Sequence, residues 1–269
     1  MKNVLLLVHE DEGQEARLQA ALDVTRAIDG HLVCLCAMVA PSAVAYDVYS
    51  GAMVANLVEQ ERQNAAANRE RLEARLAHED VSWNWEDALC FPSDAVDEAA
   101  GLVDLVVLSS HLPQSQPPEI RRLAGAVARR SGRPVLAVPD KVQPLDLSGT
   151  VLIAWDGSRE ADDALRQAVP LLSLASEIVL LEIDRPEGAL AATSAASYLS
   201  RHGIAARIQA VQRQPDESIC STILETARAM NAAYIVMGAY GHSPALETLF
   251  GGVTRSMLAN SEIPLLLAH

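Results

Sequence analysis

Short apolar runs alternate with amphipathic stretches along the whole chain. In stretches such as 15–28 and 159–172, apolar residues recur three and four positions apart, which predicts helices. The apolar runs predict strands, and strands that alternate with helices form parallel sheets with right-handed crossovers. The predicted strands lie in 3–9, 31–39, 81–85, 104–110 and 133–139, and again in 150–156, 177–183, 206–212, 233–239 and 263–269.

The two sets of predicted strands correspond in order, which indicates an internal repeat. The segment VLLLVH at Val4–His9 matches VLIAWD at Val151–Asp156. The segment DLVVLS at Asp104–Ser109 matches AYIVMG at Ala233–Gly238. Duplication by itself does not distinguish a ligand-binding domain pair from one that binds nothing.

A polar segment with two prolines, PDKVQPLDLSG at 139–149, is typical of a linker between the repeats. We therefore predict two α/β domains of similar topology, at 1–140 and 149–269. Each is expected to be an open, parallel, five-stranded sheet with helices on both faces.

The composition favours this fold class. Hydrophobic residues make up 50% of the chain but aromatic residues only 4%, so the core must consist of aliphatic side chains, which suit a parallel sheet covered on both faces.

No apolar run reaches the roughly 18 residues of a membrane span, and the start, MKNVLLLVHEDEG, turns acidic too early for a signal peptide. Cys34 and Cys36 lie on one apolar strand, where burial is favoured over metal binding. These features predict a cytoplasmic protein.

The charge of the chain excludes some classes of partner. Acidic residues number 35 and basic residues 21, for a formal net charge of −14. Such a surface repels nucleic acid and anionic membranes, so we expect neither as a partner. The second predicted domain also contains no lysine, so any phosphate there must be held by arginine or by the backbone.

Glycines are concentrated after the fourth predicted strand of the second half. Gly238 and Gly241 follow the strand, and Gly251 and Gly252 open a helix that contains Thr254. Ligands of an open parallel sheet bind beyond the carboxyl ends of its strands, and a glycine-rich helix start offers N–H groups to a phosphate. The pattern predicts a phosphate site to which the Thr254 hydroxyl adds a donor. The alternative is that the glycines only shape a turn and a helix start.

A candidate polar contact lies at the end of the first strand of that half, in AWDGSREADDAL. Asp156 ends the strand, and Gly157 and Ser158 lead into a helix. The Asp156 carboxylate can accept hydrogen bonds from a ribose or help to hold Mg²⁺. Its alternative role is to cap the following helix, for which Ser158 is the other candidate.

Three motifs together resemble a known family. They are VLIAWDGS near the start of the second half, the Gly-x2-Gly-x9-Gly spacing before a helix, and the last strand with PLLL. In these features the chain resembles the universal stress protein family. Because both halves take part, the chain is similar to a tandem universal stress protein. The resemblance implies two domains of adenine-nucleotide α-hydrolase-like, Rossmann-like architecture, and ATP or another adenine nucleotide as ligand.

The resemblance also assigns residues to the nucleotide site. Asp156 falls on the nucleotide-contacting aspartate, and Ile183 falls near the backbone that meets adenine. The remaining positions follow the phosphate loop and its helix: Gly238, Gly241, Gly251, Gly252, Val253 and Thr254. The family usually has Ser or Thr where this chain has Gly252. The loss of that hydroxyl is expected to weaken phosphate binding by about 1–3 kcal/mol, because one hydrogen bond is missing.

The first half departs further from the family pattern. His9 stands where Asp156 stands, and Ser109 and Leu112 replace two of the loop glycines. Pro117 and Pro118 stiffen the segment and remove N–H donors. We therefore expect no nucleotide in the first half.

Three functional hypotheses remain. The first is a stress-response regulatory protein that holds ATP or AMP in its second domain. The second is a slow ATPase, since no GxxxxGK[ST] loop is present for efficient catalysis. The third is an interaction scaffold that works through dimerisation.

The last strands of the two halves predict how the halves assemble. The segments Pro134–Pro139 and Ile263–His269 are both apolar, and an apolar edge strand needs a partner. In the family such strands pair across a two-fold axis. We therefore expect them to be adjacent, with the chain as an internal pseudo-dimer. Association of two chains into a homodimer stays open.

Overall fold

A computed structural model of the chain describes residues 1–38, 51–110, 123–141, 144–184, 192–240 and 250–269. The helices and strands of the first half are, in order, β1 (Asn3–Val8), α1 (Gln14–Ala27), β2 (His31–Ala37), α2 (Gly51–Leu76), β3 (Ser82–Ala88), α3 (Pro92–Ala99), β4 (Leu105–Ser109), α4 (Leu123–Arg130) and β5 (Val135–Val138). A short 3₁₀ helix, Ala100–Leu102, follows α3.

The second half repeats the alternation of strands and helices. Its elements are β6 (Thr150–Trp155), α5 (Arg159–Leu172), β7 (Glu177–Ile183), α6 (Ala192–Arg201), β8 (Arg207–Val211), α7 (Ile219–Ala229), β9 (Tyr234–Gly238), α8 (Phe250–Asn260) and β10 (Leu265–Ala268). Among the described residues, no helix is both long and apolar enough to cross a membrane.

All ten described strands form one sheet, in the order β3-β2-β1-β4-β5-β10-β9-β6-β7-β8. Neighbouring strands are parallel within each half, and the α/β class predicted from the sequence is confirmed. The two open sheets expected from the sequence are not separate, because β5 and β10 pair antiparallel, with Leu266 opposite Leu136. The predicted adjacency of these two terminal strands is therefore confirmed. The domain boundaries at 1–140 and 149–269 stay a prediction.

Helices cover both faces of the sheet, as the aliphatic composition predicts. On one face, alternate strand residues such as Val4 and Leu6 pack with the buried sides of α1, α2, α5 and α6. On the other face, Leu5 and Leu7 pack with α3, α4, α7 and α8. The central strands are apolar on both sides for this reason, whereas the outermost strands β3 and β8 expose polar side chains, which protects the sheet edges from pairing with other chains.

The strand order creates one crevice in each half. From β1 the chain moves outwards to β2 and later returns to the other side of β1 as β4. The second half repeats this reversal around β6, with β7 on one side and β9 on the other. Ligands of such sheets bind beyond the carboxyl ends of the strands at the reversal, so the crevices lie between β1 and β4 and between β6 and β9.

Candidate functional site

The second-half crevice brings several predicted site residues to one edge of the sheet. The register pairs Ala154 of β6 with Met237 of β9, so Asp156 and Gly238 both lie at the carboxyl ends of adjacent strands. On the other side of β6, Trp155 is paired with Glu182, and Ile183 is the next and last residue of β7. Ile183 is half-buried against the core.

Asp156 shapes the turn from β6 into α5. Its Oδ1 atom accepts a hydrogen bond from the Ser158 backbone N–H at 2.9 Å, and Gly157 between them has a positive φ of 76°. The cap of α5 is Ser158, whose Oγ accepts from the Ala161 N–H at 3.1 Å. Of the two capping candidates, Ser158 therefore caps the helix. The Asp156 carboxylate is exposed and retains further acceptor capacity.

Gly238 has a packing role that the sequence did not reveal. A Cβ atom at this position would lie 2.7 Å from the carbonyl carbon of Glu160 and 2.8 Å from the Ala161 nitrogen. These backbone atoms belong to the first turn of α5, so the absence of a side chain at Gly238 lets the helix start pack directly on the end of β9. Close packing of a helix on a strand is one of the roles of glycine in nucleotide-binding folds.

Thr254 is buried beneath the junction between β9 and the segment that follows it. Its side chain is 2% exposed, and Oγ1 accepts a hydrogen bond from the Tyr240 N–H at 3.4 Å. The hydroxyl predicted to serve as a phosphate donor thus accepts a hydrogen bond from the backbone of the protein itself. This contact fastens α8 to the end of β9.

The start of α8 is open on its outer side. Gly251 and Gly252 lie in its first turn, Gly252 is exposed, and a Cβ at Gly252 would meet no atom of the described residues within 4 Å. The φ of Gly252 is not positive, so other residues can adopt its backbone conformation. Val253 is half-buried against the core. Gly241, the remaining predicted site residue, lies outside the described residues.

Two acidic residues near the crevice were missed by the sequence reasoning. Glu182 is buried near the end of β7, and its Oε1 accepts a hydrogen bond from the Ala192 N–H at 2.6 Å, where it stabilises the start of α6. Asp184, with a φ of 48°, accepts from the Arg213 N–H at 3.0 Å and pairs with the Arg213 guanidinium. The sequence feature that could have identified Glu182 was the presence of an acidic residue near the end of the apolar run EIVLLEI.

The corresponding crevice of the first half contains a buried arginine. The Arg17 side chain of α1 is 2% exposed, and its Nη1 atom donates to both carboxylate oxygens of Asp11, at 2.9 and 3.1 Å. The same nitrogen donates to Ser109 Oγ, at the end of β4, and Nη2 donates to the His9 carbonyl at 2.7 Å. The guanidinium therefore joins the carboxyl ends of β1 and β4.

Asp11 is held as a carboxylate in this cluster. Burial would raise the pKa of its carboxyl, but the hydrogen bond with His9 and the charge and hydrogen bonds of Arg17 outweigh burial and lower the pKa below its ordinary value. The Arg17 cation is thus paired with an anion from its own chain.

Cys34 and Cys36 of β2 are buried in the core of the first half. Burial, followed by the negative charge of nearby carboxylates, raises the pKa of Cys34 to about 12 and that of Cys36 to about 11. Within the described ranges, no group of three or more His, Cys, Asp or Glu side chains is arranged to hold a metal ion. These thiols therefore serve as apolar core groups.

Comparisons with known proteins agree with this fold. Residues 189–269 match the model of the Universal stress protein family. This range contains Gly238 and the start of α8, whereas Asp156 and Ile183 precede it. A comparison with curated proteins found no match.

Among solved structures, a universal stress protein from Archaeoglobus fulgidus is similar over 99% of this chain and 96% of its own, with a TM-score of 0.74 and 16% identity. A functionally unknown protein from Pseudomonas aeruginosa is similar over 99% of this chain and 92% of its own, with a TM-score of 0.60 and 14% identity. At these identities the similarity concerns the fold. The chain therefore has the fold of a universal stress protein along its length, and carries a Universal stress protein family domain at residues 189–269.

Proposed function

We propose that this protein binds an adenine nucleotide, ATP or AMP, in the crevice between β6 and β9, and that it serves in the cytoplasm as a stress-response regulatory protein. The observation that carries the proposal is the convergence of an exposed carboxylate, Asp156, and an open, glycine-rich helix start, Gly251 and Gly252, at one edge of the sheet. A carboxylate suits a ribose hydroxyl or Mg²⁺, and a helix N-terminus suits a phosphate.

The contrast between the halves supports assigning the nucleotide to the second half. In the first crevice, a phosphate would have to displace the Asp11 carboxylate from Arg17, and both groups are buried. Separating a buried ion pair leaves an unpaired charge, which is strongly unfavourable. In the second crevice, Gly238 stands in the place of Ser109, which accepts a hydrogen bond from Arg17 in the first half.

The proposed function is nucleotide binding and does not include efficient hydrolysis of the nucleotide. The second half has no lysine to contact a β- or γ-phosphate, and the available cation near the helix start is the exposed Arg255. Slow hydrolysis is compatible with this site. Domains at 1–140 and 149–269 are part of the same proposal, with the second acting as the nucleotide domain.

Nucleotide titration of the whole chain tests the proposal. Separated halves are unsuitable, because they would expose the paired edges of β5 and β10. We expect ATP or AMP to bind with micromolar or weaker affinity. Asp156→Ala should weaken binding about ten- to a hundredfold, as removal of a charged hydrogen-bond partner does. His9→Ala, the matched change in the first half, should leave affinity unchanged. Calorimetry measures both, and equal effects of the two changes would contradict the proposal.

Gly252→Ser is expected to strengthen nucleotide binding by roughly tenfold. The position is open and its φ is not positive, so a serine can be accommodated and can offer a hydroxyl to a phosphate. Gly252→Ala is the control, because it also removes a flexible glycine from the helix but adds no donor. Calorimetric titrations with ATP compare the two variants. Equal affinities for the serine and alanine variants would rule out a hydroxyl contact at this position.

A further inference from the structure

Tyr240 has a backbone conformation that its own side chain disfavours. It lies two residues after the end of β9 and has a positive φ of 56°. A left-handed conformation is uncommon for residues other than glycine and is an outlier for a bulky one. Such a conformation persists only where surrounding contacts determine it. Contacts on both sides of Tyr240 do so.

The tyrosine ring reaches from the second half of the chain onto α4 of the first half. A Cβ atom at Gly125 of α4 would collide with Tyr240 Oη and lie 3.0 Å from the ring atoms Cε2 and Cζ. The ring therefore rests on helix backbone that only glycine leaves uncovered. The Arg129 guanidinium, one turn further along α4, lies 5.5 Å from the ring centroid, within the range of a cation–π interaction.

The backbone around Tyr240 is tied to the candidate nucleotide site. The Ala239 N–H donates to the Ala268 carbonyl at 2.8 Å, and His269 Nδ1 lies 2.7 Å from the Ala239 carbonyl oxygen. The Tyr240 N–H donates to Thr254 in the first turns of α8. Tyr240 thus connects three elements: α4 of the first half, the end of β9 next to Gly238, and α8.

We propose that the first half of the chain positions the candidate nucleotide site of the second half through the contact of Tyr240 with Gly125. The ring on α4 sets the left-handed backbone of Tyr240, which in turn fixes the end of β9 relative to the start of α8. Gly125 and Tyr240 are positioning residues. The consequence for ligand binding rests on the proposed function, whereas the effect on the backbone at Tyr240 does not depend on it.

This arrangement gives the first half, whose own crevice contains the Arg17–Asp11 ion pair, a role in ligand binding by the second half. Coupling between two sites is reciprocal in binding free energy. If α4 stabilises the nucleotide-competent junction, an adenine nucleotide should in turn reduce the mobility of α4. Slower amide exchange at Gly125 and its neighbours on addition of ATP is the expected sign of this coupling.

Gly125→Ala tests the contact in the whole chain. The added methyl must displace the Tyr240 ring, so we expect altered chemical shifts and faster amide exchange at Tyr240, with ATP affinity reduced about five- to tenfold, the lower end of typical couplings. Gly101→Ala is the matched control in the same half, since a Cβ there would meet nothing within 4 Å. It should change neither quantity. The Ala233 amide, bonded to the Thr150 carbonyl at the opposite end of β9, serves as an internal reference for overall stability.

Changes at Tyr240 separate the specific contact from general destabilisation. Tyr240→Phe removes the hydroxyl nearest to the added methyl, so the double variant Gly125→Ala, Tyr240→Phe should recover part of the wild-type exchange rate at residue 240. Tyr240→Asn tolerates a positive φ but has no ring to place on α4, and should reproduce the effect of Gly125→Ala. This second variant also decides the question if Gly125→Ala does not fold.

The outcomes for the contact and for the nucleotide are distinct. Unchanged shifts and exchange at residue 240 in Gly125→Ala would overturn the inference, as would unchanged amide exchange at Thr254 and its neighbours together with unchanged ATP affinity in Tyr240→Asn, if Gly125→Ala does not fold. Altered backbone at residue 240 together with unchanged ATP affinity would also overturn it. If the wild-type protein binds no adenine nucleotide, the proposed function fails. A disturbed Tyr240 backbone that recovers with Tyr240→Phe would then still support the positioning contact.

Discussion

Arg17→Met is expected to lower the free energy of unfolding by about 3–5 kcal/mol, the range for removing one partner of a buried ion pair. The change leaves the Asp11 side chain, which is 5% exposed, without its cation. It also removes donors to Ser109 and to the His9 carbonyl, so the ends of β1 and β4 lose their connection. Urea unfolding followed by circular dichroism measures the difference.

Arg26→Met is the matched control for this prediction. Arg26 belongs to the same helix and pairs with Asp23 and Glu79, but its side chain is 45% exposed. Exposed ion pairs contribute about 0–1 kcal/mol, so the control should lose little stability. The double variant Asp11→Asn, Arg17→Met removes both charges and should recover most of the loss. Equal losses for Arg17→Met and Arg26→Met would show that the buried pair is not what stabilises this crevice.

The two halves share one fold but differ in the groups that lie at the strand reversal. The first half fills the crevice at its strand reversal with a guanidinium and a carboxylate from its own chain, and the second half leaves an exposed carboxylate and an open helix start there. The pairing of β5 with β10 then holds the two halves in one sheet. The first half, whose crevice contains the ion pair, also contacts the second half through Gly125 and Tyr240. This contact is compatible with a positioning role for the first half.

The fold was predictable because it depends on patterns that are local in sequence. The alternation of apolar runs and amphipathic stretches gives the strands and helices, and apolar runs such as 135–138 and 265–268 indicate strands buried at the centre of a sheet. The pairing of β5 with β10, which merges the two sheets into one, was expected only through the family resemblance. Apolar strand edges show that a partner is needed but not that the partner's strand continues the same sheet.

The site was less predictable because its contacts join residues that are distant in sequence. Arg17 appeared as one residue of an amphipathic helix, yet its partners Asp11 and Ser109 come from two different strand ends. The clustering of glycines predicted a phosphate site, which stays a prediction. It did not reveal that Gly238 accommodates a helix start, because the sequence carries no information on the distance between β9 and α5.

The contact between the end of β9 and the start of α5 has a counterpart in the first half, between the end of β4 and the start of α1. In the second half, Gly238 on the strand faces Glu160 in the helix start. In the first half, the strand carries Ser109, and a Cβ at the facing residue, Gly13, would lie 2.9 Å from Ser109 Oγ. In each half a glycine therefore lies where the helix start approaches the end of the strand. The contact at Gly238 is with helix backbone, whereas the contact at Gly13 is with side-chain atoms of Asp140 and Ser109.

Gly238→Ala is accordingly expected to destabilise the protein by about 2 kcal/mol, within the range for overpacking. The new methyl would overlap backbone atoms of Glu160 and Ala161, which cannot rotate away, so the start of α5 must move. That movement displaces the turn containing Asp156, and we expect nucleotide affinity to fall with stability. Urea unfolding and calorimetry measure the two effects, with Gly252→Ala as the control because its surroundings are open. Wild-type stability in Gly238→Ala would refute the packing role.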